Sequence, residues 1–255
     1  MAASPPTSLA ARDAQSRATL NVSRVFVAGP VLNPRTPDEA RTQVAGVAAQ
    51  KADLVKIRVD DNLGTAQKMA PEVYRAVIDE AHKRGMRVAV HLFYLSDAKE
   101  ILASGGDLVA HSVRDANVDD AVIAALKSRG VCVVPMLMRE VSTFVYESTP
   151  EWFSDPLFTA HANPEWVAQG RDPARQQAVR NSASARRYKV ALDVASRNVK
   201  RVSDAARCLK VDREVGTLEA GKWADFVVLA SSLLANISNV RTIASVWIAG
   251  NKVTR

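Results

Sequence analysis

An α/β fold built on a parallel sheet is predicted by three observations. Short apolar runs alternate with amphipathic stretches from Arg24 to Met138, the pattern of successive βαβ units. The runs are apolar almost throughout, as in strands covered on both faces. With 255 residues, 47% of them hydrophobic and 24% charged, the chain has material for one sizeable core, which excludes disorder as its main state.

Taken in order, residues 1–23 read as a frayed or helical lead-in without the continuous apolar stretch of a secretory signal. The expected strands are Arg24–Ala28, Asp53–Val59, Met86–Phe93, Asp107–His111 and Val131–Met138. Between the first two, Thr36-Pro37-Asp38-Glu39 is a capping box with proline at the first helical position, followed by Ala40, Val44, Val47 and Ala48 at helical spacing. A second helix opens near Pro71, buries Val73, Val77, Ile78 and Ala81, and stops at Gly85. The third runs from about Ser96 to Gly105-Gly106, and the fourth takes Asn117 as its N-cap and Gly130 as its stop.

After Met138 the prolines at 150, 156, 164 and 173, with Trp152, Phe153, Phe158 and Trp166, predict a long irregular aromatic loop that packs over something. A helix follows from about Arg175 to Leu209, where Tyr188, Leu192, Ala195, Val199, Val202, Ala206 and Leu209 form an apolar stripe. In the tail, the turns of 215–222 lead into a strand at Asp225–Ala230, and Ile243–Ile248 with Gly250-Asn251 and Lys252-Val253 forms a terminal hairpin.

The net charge of +7 is local: residues 171–213 hold twelve basic and four acidic side chains, and the rest of the chain is near neutral. Tyr188 is the one aromatic there and lies on the apolar stripe, so the segment reads as a solvated basic helix face. No stacking platform for nucleic acid is offered. The longest apolar run, Val131 to Met138, falls far short of the about 20 residues that span a bilayer. Two cysteines, Cys132 and Cys208, are too few for a disulfide framework, so packing must stabilise the fold. A soluble cytoplasmic protein without membrane or nucleic-acid partners is expected.

Function in such sheets gathers at the carboxyl ends of the strands. Three consecutive strands place a metal-competent or base-competent residue there: Lys56, His91 and His111. Each alone reads more readily as a structural residue, satisfied by backbone groups or reaching toward solvent. Together they stand apart, because two of only four histidines occupy equivalent points of adjacent βα units, just after a lysine set in an apolar strand. Imidazoles converging from neighbouring strands suit part of a divalent metal site, most readily zinc.

At this point the chain resembles the amidohydrolase superfamily, in particular its imidazolonepropionase-like and Xaa-Pro-dipeptidase-like branch. The resemblance rests on Arg24-Val25-Phe26-Val27-Ala28-Gly29-Pro30, Asp53-Leu54-Val55-Lys56-Ile57, Val88-Ala89-Val90-His91 and the step from Gly105-Gly106-Asp107 to His111. It rests most specifically on the tail, Gly216-Thr217-Leu218-Glu219-Ala220-Gly221-Lys222-Trp223-Ala224-Asp225-Phe226, with Leu234-Ala235-Asn236-Ile237 and the closing Gly250-Asn251-Lys252-Val253. It implies a partial TIM (β/α)8-type barrel of a metal-dependent hydrolase, with a remnant of a small β-sandwich domain at the C-terminus. The expected division is lead-in 1–23, partial barrel 24–210 and sandwich-like segment 211–255.

By the same resemblance, one or two divalent ions, most readily Zn2+, activate water to hydrolyse a carbon–nitrogen bond of a small amide, cyclic amide or dipeptide. Lys56 matches the strand-four lysine that is carbamylated when two ions are bound, and His91 and His111 match the histidine ligands of strands five and six. Tyr94 is the expected substrate-binding residue. The chain departs from the family pattern in having no His-x-His pair, since His82 and His161 are isolated, and no Gly-Thr-Asp step to supply the general base. Asp60, Asp61 and Tyr94 are the local candidates for that base. The first two and the eighth barrel strands are thus missing, and open sheet edges predict a homo-oligomer. The alternative reading is a catalytically impaired fragment or scaffold of this family, acting by oligomeric association.

Overall fold

The computed structural model describes residues 6–14, 25–199, 201, 213, 217–233 and 235–253. Five strands, β1 (Ala28–Leu32), β2 (Leu54–Arg58), β3 (Arg87–His91), β4 (Leu108–Ala110) and β5 (Cys132–Val134), form one sheet in the order β1-β2-β3-β4-β5. The order follows the chain, as when successive βα units are laid down in one direction. It bears out the predicted α/β class, and a separate three-stranded sheet closes the tail. The chain divides into two compact units, Met1–Ile57 with Pro71–Ala89 and Asp204–Arg255, and Arg58–Ala70 with Val90–Ser203.

In the first unit, the lead-in contains a helix, α1 (Pro6–Asp13), tied down by Arg12, which donates to the Lys51 carbonyl at 2.7 Å and meets Asp53 at 3.1 Å. β1 starts four residues later than Arg24, and pairs in parallel with β2 through Val31 to Lys56 and Leu32 to Ile57. The capping box of α2 (Pro37–Ala49) forms with one change. Thr36 Oγ1 accepts from the Glu39 N–H, while Glu39 reaches back to the N–H of Arg35. α2 packs on α3 (Pro71–Lys83), and Val44 and Val47 of the one and Val73, Val77 and Ile78 of the other are buried.

The tail strands β6 (Phe226–Leu229), β7 (Ile243–Ile248) and β8 (Asn251–Lys252) pair antiparallel. Phe226 stacks on its cross-strand partner Trp247 with ring centroids 5.6 Å apart. The Ala249-Gly250 turn, at φ of 51° and 77°, has the double positive φ of a tight hairpin.

In the second unit, α4 (Leu95–Ser104) and α5 (Asp120–Arg129) bury Ala98, Leu102, Val122 and Leu126 with Leu92, Val109 and Val131. The N-cap of α5 is Asp119, whose carboxylate accepts from the Val122 N–H at 3.0 Å, two residues beyond the expected Asn117. Gly105 ends α4 at φ of 103°, and Gly106 then passes so close that a Cβ would lie 2.5 Å from Ile101 Cγ2 and 3.3 Å from the Ile101 carbonyl oxygen. Gly106→Ala is expected to destabilise the protein by about 1–3 kcal/mol through overpacking, read as a lowered urea midpoint at unchanged slope.

The stretch after β5 is not an irregular loop. It holds α6 (Leu137–Val141), two short 3-10 turns, α7 (Pro156–His161), α8 (Pro164–Arg171) and α9 (Pro173–Asn181). Three of the four prolines expected as loop punctuation are first helical residues, each preceded by a capping Asp155, Asn163 or Asp172. Phe153 is buried, stacked on Phe158 at 5.3 Å, whereas Trp166 is 71% exposed. The predicted long helix is broken at Ser182, giving α9 and α10 (Ala183–Val199), and its expected continuation to Leu209 lies outside the described residues.

α10 buries Tyr188 and Ala195 of the apolar stripe, together with Ala191 and Val194. Its basic residues are engaged within the chain: Arg187 donates to the Leu63 carbonyl, Lys189 pairs with Glu147, and Arg201 beyond it pairs with Asp120.

Candidate functional site

Of the residues that the sequence singles out, His91 and His111 stand at the carboxyl ends of β3 and β4, whereas Lys56 lies mid-strand in β2. Lys56 is central in β2, flanked by the fully buried Val55 and Ile57, and is itself 2% exposed. An ammonium in such surroundings loses its hydration, so its environment must supply the compensation. His91 is the last residue of β3. His111 follows β4 directly and takes φ of 82°, a conformation that side-chain-bearing residues adopt only where their surroundings hold them. Its N–H donates to the Val134 carbonyl of β5 at 3.0 Å.

The two imidazoles come together, edge to face, with ring centroids 4.3 Å apart. Beneath them lies a set of buried charges. Asp60, two residues beyond β2, places Oδ2 2.8 Å from His91 Nε2, while its Oδ1 accepts from the Asn62 N–H at 3.0 Å and from Arg58 at 3.2 Å. Burial pushes this carboxyl up, but hydrogen bonding and charge from His91, the Asn62 N–H and the Arg58 cation outweigh it. Asp60 is therefore held well below the usual carboxylate range and stays ionised.

Arg114, three residues after His111, sits 3.9 Å from Asp60 Oδ2, pairs with Glu140 of α6, and donates to the Leu92 carbonyl at 2.8 Å. Both Arg114 and Glu140 are 2% exposed. The guanidinium also lies 4.8 Å from the centre of the Phe93 ring. Neither residue is among those that the sequence pattern singles out. The available signal is a charge set directly behind each apolar strand, at Arg114 after the fourth and Glu140 after the fifth.

Tyr94 caps the start of α4 through its backbone, and its hydroxyl donates to Asp61 Oδ1 at 2.8 Å. Burial and the negative Asp61 push the phenol up to about 12. It is thus a neutral hydrogen-bonding group at ordinary pH. Lys68, itself paired with Asp97 at 2.9 Å, lies over the Tyr94 ring at 4.2 Å. Asp61 accepts from Tyr94 at this edge, while Asp60 Oδ1 is taken by the Asn62 N–H and Arg58 and its Oδ2 lies 2.8 Å from His91 Nε2.

Among the described residues no group of three or more His, Cys, Asp and Glu side chains is arranged to hold a metal ion. The donor chemistry nevertheless fits one in kind. Two adjacent imidazoles at strand ends, one backed by a buried carboxylate, match the histidine and outer carboxylate of zinc sites.

Residues 182–253 match the family model of the amidohydrolase family. No curated protein matches the chain in sequence. Among solved structures, the chain is similar to a candidate prolidase from Bifidobacterium longum at 21% identity and a TM-score of 0.66, over 97% of this chain and 70% of that one. A Xaa-Pro dipeptidase with methionine bound in its active site is similar at 18% identity and a TM-score of 0.67, over 99% and 73%. Molinate hydrolase follows at 17% and 0.53, over 85% and 54%. At these identities the structural likeness is one of fold. With the family match in the tail, it bears out the resemblance to the amidohydrolase superfamily.

Proposed function

We propose that this chain is a metal-dependent amidohydrolase acting on a carbon–nitrogen bond of a small amide, cyclic amide or dipeptide. The observation that carries the reading is the 4.3 Å approach of His91 and His111 at the ends of β3 and β4. These two histidines, with Lys56 as its carbamate where two ions are present, would hold the ion, most readily Zn2+. Such an ion lowers the pKa of bound water toward about 7 and polarises the scissile carbonyl. The chain's own residues bind and orient. Tyr94 offers a neutral hydroxyl to a substrate polar group, and Asp61 fixes that hydroxyl.

A cytoplasmic homo-oligomer completes this reading. No helix among the described residues is long and apolar enough to cross a membrane. Dialysis of the purified protein against Zn2+ with bicarbonate, then atomic absorption and assay on Xaa-Pro dipeptides, simple amides and lactams, is expected to give at least one ion per chain and measurable hydrolysis. Absence of a stoichiometric ion overturns the reading. A second reading, a catalytically impaired scaffold acting by association, is favoured by the lack of a third His, Cys, Asp or Glu donor among the described residues. It predicts no hydrolysis on any of these substrates and a mass above monomer in light scattering.

A further inference from the structure

Arg58 ends β2, two residues beyond Lys56 and on the same face of the strand. Lys56 is 2% exposed and the side chain of Arg58 39%, so within one step that face passes from sealed interior to the open carboxyl end. The guanidinium is held along one edge only. Its Nε and Nη2 both donate to Asp60 Oδ1, each at 3.2 Å. Of the five N–H donors of an arginine, the remaining three have no partner among the described residues. We propose that Arg58 is the residue that selects substrate by charge, its free edge taking a carboxylate carried by the substrate, so that anionic amides are preferred to neutral ones. As a statement about substrate, this rests on the hydrolase reading above.

The surrounding charges favour an anion at that edge. Arg58, Arg114 and Arg139 are linked to the carboxylates of Asp60 and Glu140 by approaches of 3.9 Å or less, three cations against two anions. Asp60 is shared and does not cancel Arg58 alone. Its Oδ1 also accepts from the Asn62 N–H at 3.0 Å, and its Oδ2 is faced at 3.9 Å by Arg114, which is anchored by the Leu92 carbonyl and Glu140. Of the three arginines, Arg114 is sealed from solvent, and Arg139 donates to the Tyr188 hydroxyl at 2.8 Å and lies over its ring. Arg58 is the most exposed of them. Tyr94 cannot take this role, because its one O–H is donated to Asp61 and its oxygen is left as an acceptor. A guanidinium with its plane fixed by a buried carboxylate is set to meet a second carboxylate through two parallel N–H···O bonds.

The test is a calorimetric titration of the metal-free protein with N-acetyl-L-proline and with N-acetyl-L-prolinamide, which differ in carboxylate against carboxamide. Wild type is expected to bind the acid about 10–100-fold more tightly than the amide, the range of a charged hydrogen-bonded contact. Arg58→Met is expected to bind the two alike, and Arg58→Lys, which keeps the charge and loses the fork, to fall between. Circular dichroism checks that both variants are folded. An arginine with only a structural role would weaken both ligands together and leave their ratio unchanged. Equal binding of the two by wild type, or binding of neither, overturns the proposal whether or not any variant folds, and so does a preference that Arg58→Met retains. No zinc enters the titration, so failure here is separate from failure of the metal reading, which zinc uptake decides. A protein that prefers the acid but takes up no ion overturns the role of Arg58 in hydrolysis.

Discussion

His111→Ala is expected to abolish stoichiometric zinc binding and to bring hydrolysis down to background. Its imidazole is one of two that meet at the strand ends. Removing a ligand outright exceeds the about 10–100-fold loss that comes from disturbing a ligand's outer partner. The backbone confounds the experiment, because His111 sits at φ of 82° and alanine is no better suited to that conformation. His111→Asn separates the effects: asparagine tolerates left-handed backbone far better yet brings no imidazole. Both variants should lose the ion, as read by chelator competition and metal analysis, while the asparagine variant keeps the urea midpoint closer to wild type. Zinc retained at full stoichiometry by either one would remove His111 from the ligand set.

What the sequence discloses, and what it hides, divides along the range of the interactions involved. Local signals carry well. The Thr36 cap, the Gly105 and Gly130 stops, and the Ile243–Ile248 strand each depend on side chains a few residues apart and are where the pattern puts them, while the turn after that strand falls one residue earlier, at Ala249-Gly250. The pattern misleads where one residue type serves two local purposes. Pro156, Pro164 and Pro173 look like breakers, although an Asp or Asn before each makes it a helix start. β1 lies later than expected because the apolar Arg24–Ala28 run continues through Gly29 and Pro30, which usually disfavour strands.

In the candidate site, the placement of His91 and His111 is legible because strand ends repeat, and Lys56 because it interrupts an apolar strand. Arg114 and Glu140 are not, since the pair is 26 residues apart and a charge behind an apolar run looks the same whether it is solvated or buried. Asp60 is visible in the sequence only as one of two adjacent acids. The structure separates them, giving Asp60 to His91 and Asp61 to Tyr94.

Arg114→Met is expected to be the most destabilising single change in the second unit. The arginine is almost wholly buried, pairs with Glu140, faces Asp60 and covers the Phe93 ring. Methionine fills much of the same volume, so the loss is chiefly electrostatic: Glu140 keeps only Arg139 at 3.6 Å, and Asp60 keeps His91, Arg58 and the Asn62 N–H. Removing one partner of a buried pair costs about 3–5 kcal/mol, because the other charge is left without compensation. Glu140→Gln in the same background should return part of that loss, since a neutral amide at that position no longer needs the cation. A double-mutant cycle by urea denaturation measures the coupling. Should Arg114→Met cost less than about 1 kcal/mol, the range of solvated surface pairs, the cluster would not be the buried network described, and the anchoring of Asp60 through Arg114 would fall with it.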